Sequence, residues 1–202
     1  EGATVRRRLA HASGLSFDGP DVLAPPGSRR IYSNAGIEAV AAAVAAGSGI
    51  DFTTYATEAV LAPLGLGSTD PQGSPAAGWR ATAPDVLTLL DQVRAPTLLA
   101  PETVALATTV AFPGLKGVLP GWGRYDPLDW GLGFEVRDAK APHWMAPGCS
   151  PRTVGHFGGA GTFAWHDPEV GVTCVGLGDR PFDSWATGIW PELGQFILTN
   201  AA

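Results

Sequence analysis

The chain has 202 residues, about the length of one ordinary domain, and its 45% hydrophobic and 16% charged residues are typical of a folded protein. Its formal net charge of −6 and pI near 5.1 argue against a nucleic-acid partner, because phosphate binding needs a basic surface. No apolar run reaches the roughly 18 to 20 residues that span a bilayer, so no transmembrane segment is expected.

Apolar residues at helical spacing predict five helices before residue 112. They are expected over residues 4–11, from about 37 to 47, from about 51 to 62, from 82 or 83 onwards, and from near 101. Asp51 is the expected N-cap of the third helix, since its carboxylate can accept the unpaired N–H groups of a first turn. Residues 71–78 form a turn-rich connector.

From about residue 112 the sequence becomes rich in Gly, Pro and Trp, and short β-like runs replace the helical periods. Residues 130–136 are one strand candidate. Residues 154–165 and 170–177 predict an antiparallel hairpin, and residues 185–198 predict a closing helix. We therefore expect an α+β domain, mainly helical over residues 1–111, with a sheet and a closing helix over residues 112–202.

Several common catalytic signatures are missing from the sequence. It contains no Gly-x-Ser-x-Gly, no Gly-Lys-Ser/Thr phosphate loop and no His-Glu-x-x-His, and the run at residues 158–161 lacks the spacing of a dinucleotide loop. The four histidines show no metal-ligand spacing, so neither a metal nor a cofactor is expected. Cys149 and Cys174 fit two independent thiols or a pair, and the compartment, cytoplasmic or exported, stays open.

Three ordered segments carry a family resemblance. Residues 4–15 (TVRRRLAHASGL) look like the T-V-x-x-L-L-x-H-x-S-G-L segment of class C β-lactamases and their relatives. Residues 26–36 (PGSRRIYSNAG) are similar to the segment that holds their Tyr-x-Asn motif. Residues 155–161 (GHFGGAG) resemble their third motif, usually Lys-Thr-Gly or His-x-Gly. The chain thus resembles the superfamily of serine β-lactamases, DD-peptidases and family VIII esterases.

The resemblance implies that this chain is the C-terminal portion of one β-lactamase-like domain, with an antiparallel sheet, a flanking C-terminal helix and a helical subdomain. The family's Ser-x-x-Lys motif is absent, since Lys116 and Lys140 follow Pro113 and Arg137 by three places. We expect an N-terminal segment, in the same polypeptide or a separate chain, to supply the serine and lysine and to complete the sheet.

The resemblance also implies roles for five residues. Tyr32 would be the base that takes the serine proton, and Asn34 would bind a substrate carbonyl or the lysine. His156 would orient Tyr32 or donate to a substrate carboxylate. Gly158 would let the strand approach the substrate, and the N–H of Gly159 would stabilise the oxyanion. Asn34 as a helix cap, Tyr32 as an ordinary half-buried aromatic residue and His156 as a structural histidine are the alternatives.

The function implied is that of a serine hydrolase that cleaves a small ester, amide or peptide through an acyl-enzyme. An esterase or peptidase is favoured over a true β-lactamase, because His156 replaces the commoner lysine and is fully charged only at low pH. A catalytically inactive binding or scaffold protein is the alternative. Trp122, Trp130, Trp144 and Tyr125 either wall an acyl pocket or pack in the core.

Overall fold

Five helices precede the main sheet, as the apolar spacing predicts. The computed structural model describes residues 2–201, and in it these helices are Val5–Leu9 (α1), Asn34–Ser48 (α2), Phe52–Ala56 (α3), Ala83–Arg94 (α4) and Pro101–Thr108 (α5). The third helix continues into a π-helical turn, Thr57–Leu61, which together with α3 spans the region predicted for one helix.

Side chains of short polar residues begin these helices. The Asp51 carboxylate accepts hydrogen bonds from the N–H groups of Thr53 and Thr54, which confirms the predicted cap of α3. The Thr82 hydroxyl accepts from the Asp85 N–H at the start of α4, with Pro84 in the first turn. Local sequence therefore determines where these helices start.

A four-stranded antiparallel sheet forms the second part of the chain. Its strands are Glu135–Val136 (β3), Val154–Gly158 (β4), Thr162–Asp167 (β5) and Val172–Leu177 (β6), paired in the order β3-β4-β5-β6. A separate hairpin joins Gly117–Leu119 (β1) to Gly123–Tyr125 (β2). Among the described residues β6 pairs with β5 alone, so its outer edge is unpaired there.

Two predicted strands differ in the structure. Of residues 130–136 only the two-residue strand β3 is regular, because the Gly131 N–H bonds the Phe134 carbonyl and the chain turns between them. Residues 154–165 are not one strand but two, β4 and β5, joined by a tight turn. That turn needs Gly161, where φ is +84° and a Cβ would lie 1.9 Å from the Arg180 carbonyl oxygen.

The closing helix predicted near residues 185–198 is present as Ser184–Asn200 (α6) and packs on the sheet. The ring of Trp190 on α6 lies 5.1 Å from the ring of Phe163 on β5, between centroids. Buried residues form one main core: Leu119, Leu128, Trp130, Trp144, Met145, Ala146, Cys149, Phe163, Trp165, Cys174, Ala186 and Trp190. The predicted α+β fold, an antiparallel sheet with a flanking C-terminal helix and a helical part, is confirmed.

A buried polar cluster holds the segment that follows β3. One oxygen of the fully buried Glu135 carboxylate lies 2.9 Å from Lys140 Nζ and 3.0 Å from His143 Nε2, and the other accepts from Trp144 Nε1 at 2.7 Å. His143 Nδ1 accepts from the Met145 N–H, so Nε2 is the ring atom that donates to the carboxylate. These donors hold the pKa of Glu135 down at about 2, although burial alone would raise it.

No single helix within residues 2–201 is long and apolar enough to cross a membrane. The consecutive segments Asn34–Ser48 and Phe52–Leu61 meet that test only as a pair, and they are bent by 85° relative to each other. In the same described part of the chain, no three His, Cys, Asp or Glu side chains lie together as a metal site would need.

Candidate active site

The turn that carries Tyr32 is fixed by its neighbour Ser33. The Ser33 hydroxyl accepts from the Gly36 N–H at 2.9 Å and donates to the Ser16 carbonyl at 2.6 Å, and Ser33 is fully buried. Ser33 is therefore the N-cap of α2, and Asn34 is the first residue of the helix. The alternative role of Asn34 as the cap is wrong, because the cap position is one residue earlier.

Tyr32 lies among four other rings. Their centroids are 4.4 Å away for His11, 5.6 Å for His156, 5.8 Å for Phe17 and 6.0 Å for Trp130. Residues 32 and 156 are far apart in the sequence, yet the structure brings their two side chains together. The role that the motifs imply for His156, to orient Tyr32, requires that these two side chains lie close together.

The β4–β5 hairpin places the Gly-rich motif beside Tyr32. His156 and Gly158 lie on β4, and Gly159 begins the turn to β5. The Gly158 position is close to the next strand, since a Cβ there would lie 2.9 Å from Thr162 Oγ1. Gly159 is exposed, and its carbonyl accepts from the Phe182 N–H at 3.0 Å, which holds the turn against the segment before α6.

All five predicted site residues line one cavity of about 890 Å³. Its wall is largely apolar and includes Phe17, Trp79, Val118, Leu119 and Phe182. Of the four aromatic residues proposed for an acyl pocket, only Trp130 lines this cavity. Trp144 is buried in the core, and Trp122 and Tyr125 pack against that core, so core packing is the correct interpretation for these three.

The electrostatics of Tyr32 disfavour its phenolate. Burial raises the pKa of Tyr32 above its usual value of 10, and the negative charge of Asp18 raises it further. Asp18 also accepts a hydrogen bond from the Asn34 amide at 3.3 Å, so it lies beside both residues of the Tyr-x-Asn motif. A nearby cation is the simplest means of lowering the pKa of Tyr32 into a useful range.

His156 is held in one protonation state by its surroundings. Burial lowers its pKa below the usual 6.5, and the Phe157 carbonyl and the more distant Glu135 oppose this only in part. His156 Nδ1 lies 2.7 Å from the Phe157 carbonyl oxygen, which can only accept, so Nδ1 carries the proton. In the neutral ring Nε2 is therefore a hydrogen-bond acceptor and has no proton for a substrate carboxylate.

Arg30 joins three other stretches of the chain at the site. Its guanidinium is buried and donates to the backbone carbonyls of Leu128, Ala10, Ala111 and Phe112. Four of its five N–H groups are thus engaged by the protein itself, so it has little capacity to bind an anionic substrate. The second arginine of the cavity wall is Arg80, an exposed residue.

Sequence reasoning gave no role to His11, Ser33, Arg30 or Asp18. His11 and Ser33 stand inside the two motif segments, so their place in those motifs was the available signal. Asp18 lies outside these segments, and Arg30, although it lies within residues 26–36, acts through contacts with distant parts of the chain that the motif does not encode.

The sequence profile of the Beta-lactamase family matches residues 1–186. Among solved structures, a β-lactamase from Mycobacterium bovis is 46% identical with a TM-score of 0.95, over 98% of this chain and 74% of that chain. The simvastatin synthase of Aspergillus terreus is 19% identical with a TM-score of 0.76, over 97% and 67% of the two chains. A hydrolase with promiscuous acyltransferase activity is 21% identical with a TM-score of 0.69, over 89% and 67%.

No curated protein sequence matches the chain. The two more distant structures show a shared fold. The family profile and the 46% identical structure show the family as well as the fold, because each covers most of the chain. Both agree with the family that the three ordered motifs predict. The chain belongs to the Beta-lactamase family.

Proposed function

We propose that this chain supplies part of the active site of a serine hydrolase that acts through an acyl-enzyme. One observation carries the proposal: the rings of Tyr32 and His156, 5.6 Å apart between centroids, line the same cavity as the Gly-rich β4–β5 turn. A phenol, an imidazole and an exposed turn around one apolar cavity are suited to acyl transfer from a serine.

Tyr32 is the proposed base of this reaction. As the serine oxygen bonds to the substrate carbonyl carbon, its proton passes to the Tyr32 phenolate and then to the departing group. A water molecule then attacks the acyl-enzyme in the same way. Its proton passes to Tyr32 and then to the serine oxygen, and the carboxylic acid is released. Because burial raises the pKa of Tyr32, the mechanism needs a cation beside the phenol, and the lysine of a Ser-x-x-Lys motif has that chemistry.

The serine and the lysine are proposed to come from an N-terminal segment of the same polypeptide or from a separate chain. Two features support this. The cavity beside Tyr32 is open, and the outer edge of β6 has no partner strand within residues 2–201. An unpaired edge exposes main-chain N–H and C=O groups that a further strand would satisfy.

The remaining residues have supporting roles in this proposal. Asn34 would offer its amide to the substrate carbonyl or to the lysine, and Gly158 would leave room for the substrate beside β4. The N–H of Gly159 would donate to the oxyanion, an interaction typically worth about 3 kcal/mol of transition-state stabilisation. The hydrogen bond from Phe182 to the Gly159 carbonyl supports this role, because it fixes the turn in advance.

The favoured substrates are neutral small esters or peptides rather than β-lactams, whose carboxylate needs a donor. Neutral His156 presents an acceptor at Nε2, and Arg30 is engaged by backbone carbonyls. The 46% identical M. bovis protein is described as a β-lactamase, so β-lactam hydrolysis is the activity to compare. The apolar wall of the cavity supports an uncharged acyl group.

Labelling with a fluorophosphonate probe tests the hydrolase assignment. The full-length protein is expected to be labelled at one serine, and labelling should be abolished when the serine of an upstream Ser-x-x-Lys motif is replaced by alanine. A folded full-length protein that neither labels nor hydrolyses p-nitrophenyl esters would instead support a binding or scaffold function.

His156→Lys is expected to shift the enzyme toward carboxylate-bearing substrates. An ammonium at this position can donate to a β-lactam carboxylate, and one charge-assisted bond is worth about a tenfold change in preference. The measurement is the ratio of kcat/KM for benzylpenicillin to kcat/KM for p-nitrophenyl acetate at pH 7. His156→Gln is the neutral control, and an equal ratio in both variants would contradict the interpretation.

A further inference from the structure

We propose that His11 is a positioning residue that holds the Tyr32 phenol toward His156 by fixing the backbone on both sides of Tyr32 and by packing against its ring. The inference rests on the proposed role of Tyr32 as the base. His11 belongs to the segment of residues 4–15 and lies two residues after the end of α1, and its action on the site is through Tyr32.

Two hydrogen bonds connect His11 to the residues that flank Tyr32. The Ile31 N–H donates to the His11 carbonyl at 2.9 Å, and the Ser33 N–H donates to His11 Nδ1 at 3.2 Å. The first bond uses the main chain of His11 and the second uses its side chain. The two residues on either side of Tyr32, Ile31 and Ser33, are therefore both bonded to His11.

The imidazole also limits where the phenol ring can lie. The His11 and Tyr32 rings are 4.4 Å apart at an interplanar angle of 37°, and His11 meets Trp130 edge-on at 4.6 Å. The His11 side chain is only 2% exposed, so little free space surrounds it. In a close-packed interior of this kind, Tyr32 cannot shift toward His11.

The protonation state of His11 suits this role. Burial, together with the nearby His156 and Arg30, lowers the pKa of His11 to about 3, and Glu135 opposes this only in part. His11 is therefore neutral at neutral pH, and its Nδ1 lone pair stays available to the Ser33 N–H. An imidazolium would have a proton on both ring nitrogens and would lose this hydrogen bond.

The backbone conformation of His11 independently supports its role in positioning Tyr32. Its φ of 52° lies in the left-handed region, which few residues other than glycine adopt, although His does so more often than most. This conformation directs the imidazole under Tyr32 and the carbonyl toward Ile31. A glycine would fit the backbone with less strain, but it would remove both the acceptor and the ring.

Two variants of the full-length protein separate the functions of the His11 side chain. His11→Asn retains an acceptor near the position of Nδ1 but loses the ring, whereas His11→Phe retains a ring but leaves the Ser33 N–H without its partner. We expect His11→Phe to lower kcat for p-nitrophenyl acetate about 10- to 100-fold with little change in KM, because the base is misplaced. His11→Asn is expected to lower kcat less than His11→Phe does, because the Ser33 N–H keeps an acceptor although the ring contact with Tyr32 is lost.

His166→Phe is the matched control. His166 is also buried, and its ring makes one hydrogen bond, from Nδ1 to Thr173 Oγ1 at 2.9 Å, with no ring contact to Tyr32. This variant removes a comparable interaction elsewhere on the sheet. An equal loss of kcat in His166→Phe would mean that general destabilisation causes the effect, and it would overturn the inference.

A second readout does not require hydrolysis. The Tyr32 signal in NMR spectra of 13Cζ-tyrosine-labelled protein, assigned with Tyr32→Phe, reports the pKa of this phenol directly. His11→Phe is expected to bring that pKa closer to 10, the ordinary value for tyrosine, while His166→Phe leaves it unchanged. Unchanged titration and kcat in folded His11→Phe would refute the role of His11. Changed titration in a protein without hydrolase activity would refute only the proposed function.

Discussion

Tyr32→Phe is expected to lower kcat for ester hydrolysis by the full-length protein about 10²- to 10⁴-fold, the usual contribution of a general base. The substitution removes one oxygen atom and keeps the ring, so the contacts with His11, His156 and Trp130 persist and the fold is preserved. Steady-state kinetics with p-nitrophenyl acetate, together with the rate of fluorophosphonate labelling, measure the effect. Both rates should fall together, since both depend on activation of the same serine.

Tyr55→Phe is the matched control for this substitution. Tyr55 lies on α3, is 38% exposed and takes no part in the cavity, so its loss of a hydroxyl should leave both rates unchanged. If Tyr32→Phe retains kcat within about threefold of the unmodified protein, Tyr32 is not the base. The proton would then have to pass to another group, such as the upstream lysine itself.

Glu135→Gln is expected to reduce the free energy of unfolding by about 3 to 5 kcal/mol, because it leaves the buried Lys140 ammonium without its charged partner. The amide has one oxygen and one NH₂ group in place of two acceptor oxygens. The NH₂ group of the glutamine must then face either Lys140 and His143 or the Trp144 N–H, all of which are themselves donors. Urea unfolding of the full-length protein measures the loss.

The control for this effect is Glu192→Gln, a substitution of an exposed glutamate on α6 that should change the free energy of unfolding by less than about 0.5 kcal/mol. Similar losses in the two variants would mean that the buried cluster contributes little.

The pH dependence of stability provides a second check on Glu135. Its pKa is about 2 in the folded protein and 4.5 ordinarily, so its contribution is complete above pH 4.5 and is lost as the pH falls toward 2. The free energy of unfolding of Glu135→Gln should therefore depend less steeply on pH in this window than that of the unmodified protein.

The positions of Tyr32 and His156 could be predicted because each lies in a motif whose order and spacing identify a family. Composition and periodicity alone indicated no more than an α+β domain. Helix starts were also predictable where a cap is local, as at Asp51, because the capping group and its N–H partners are within three residues.

Other features depend on contacts that no local pattern encodes. The turn at Gly159 interrupts residues 154–165 without breaking the apolar character of the run, so the sequence predicts one strand where the structure has two. Asn34 is the alternative cap of α2 in the sequence because it stands just before the apolar pattern that begins at Ile37, but the helix begins at Asn34 and Ser33 is its cap. The contact of His11 with Ser33 bridges 22 residues and has no sequence signature of its own.

The four-way attachment of Arg30 has a consequence for local unfolding. Arg30 stands two residues before Tyr32 and joins carbonyls from three separate stretches of chain: residue 10, residues 111–112 and residue 128. Opening any one of these stretches would leave part of the buried guanidinium without its carbonyl acceptors. We therefore expect the three stretches to open together or not at all. Slow amide exchange would then extend over the whole base of the cavity as one cooperative unit.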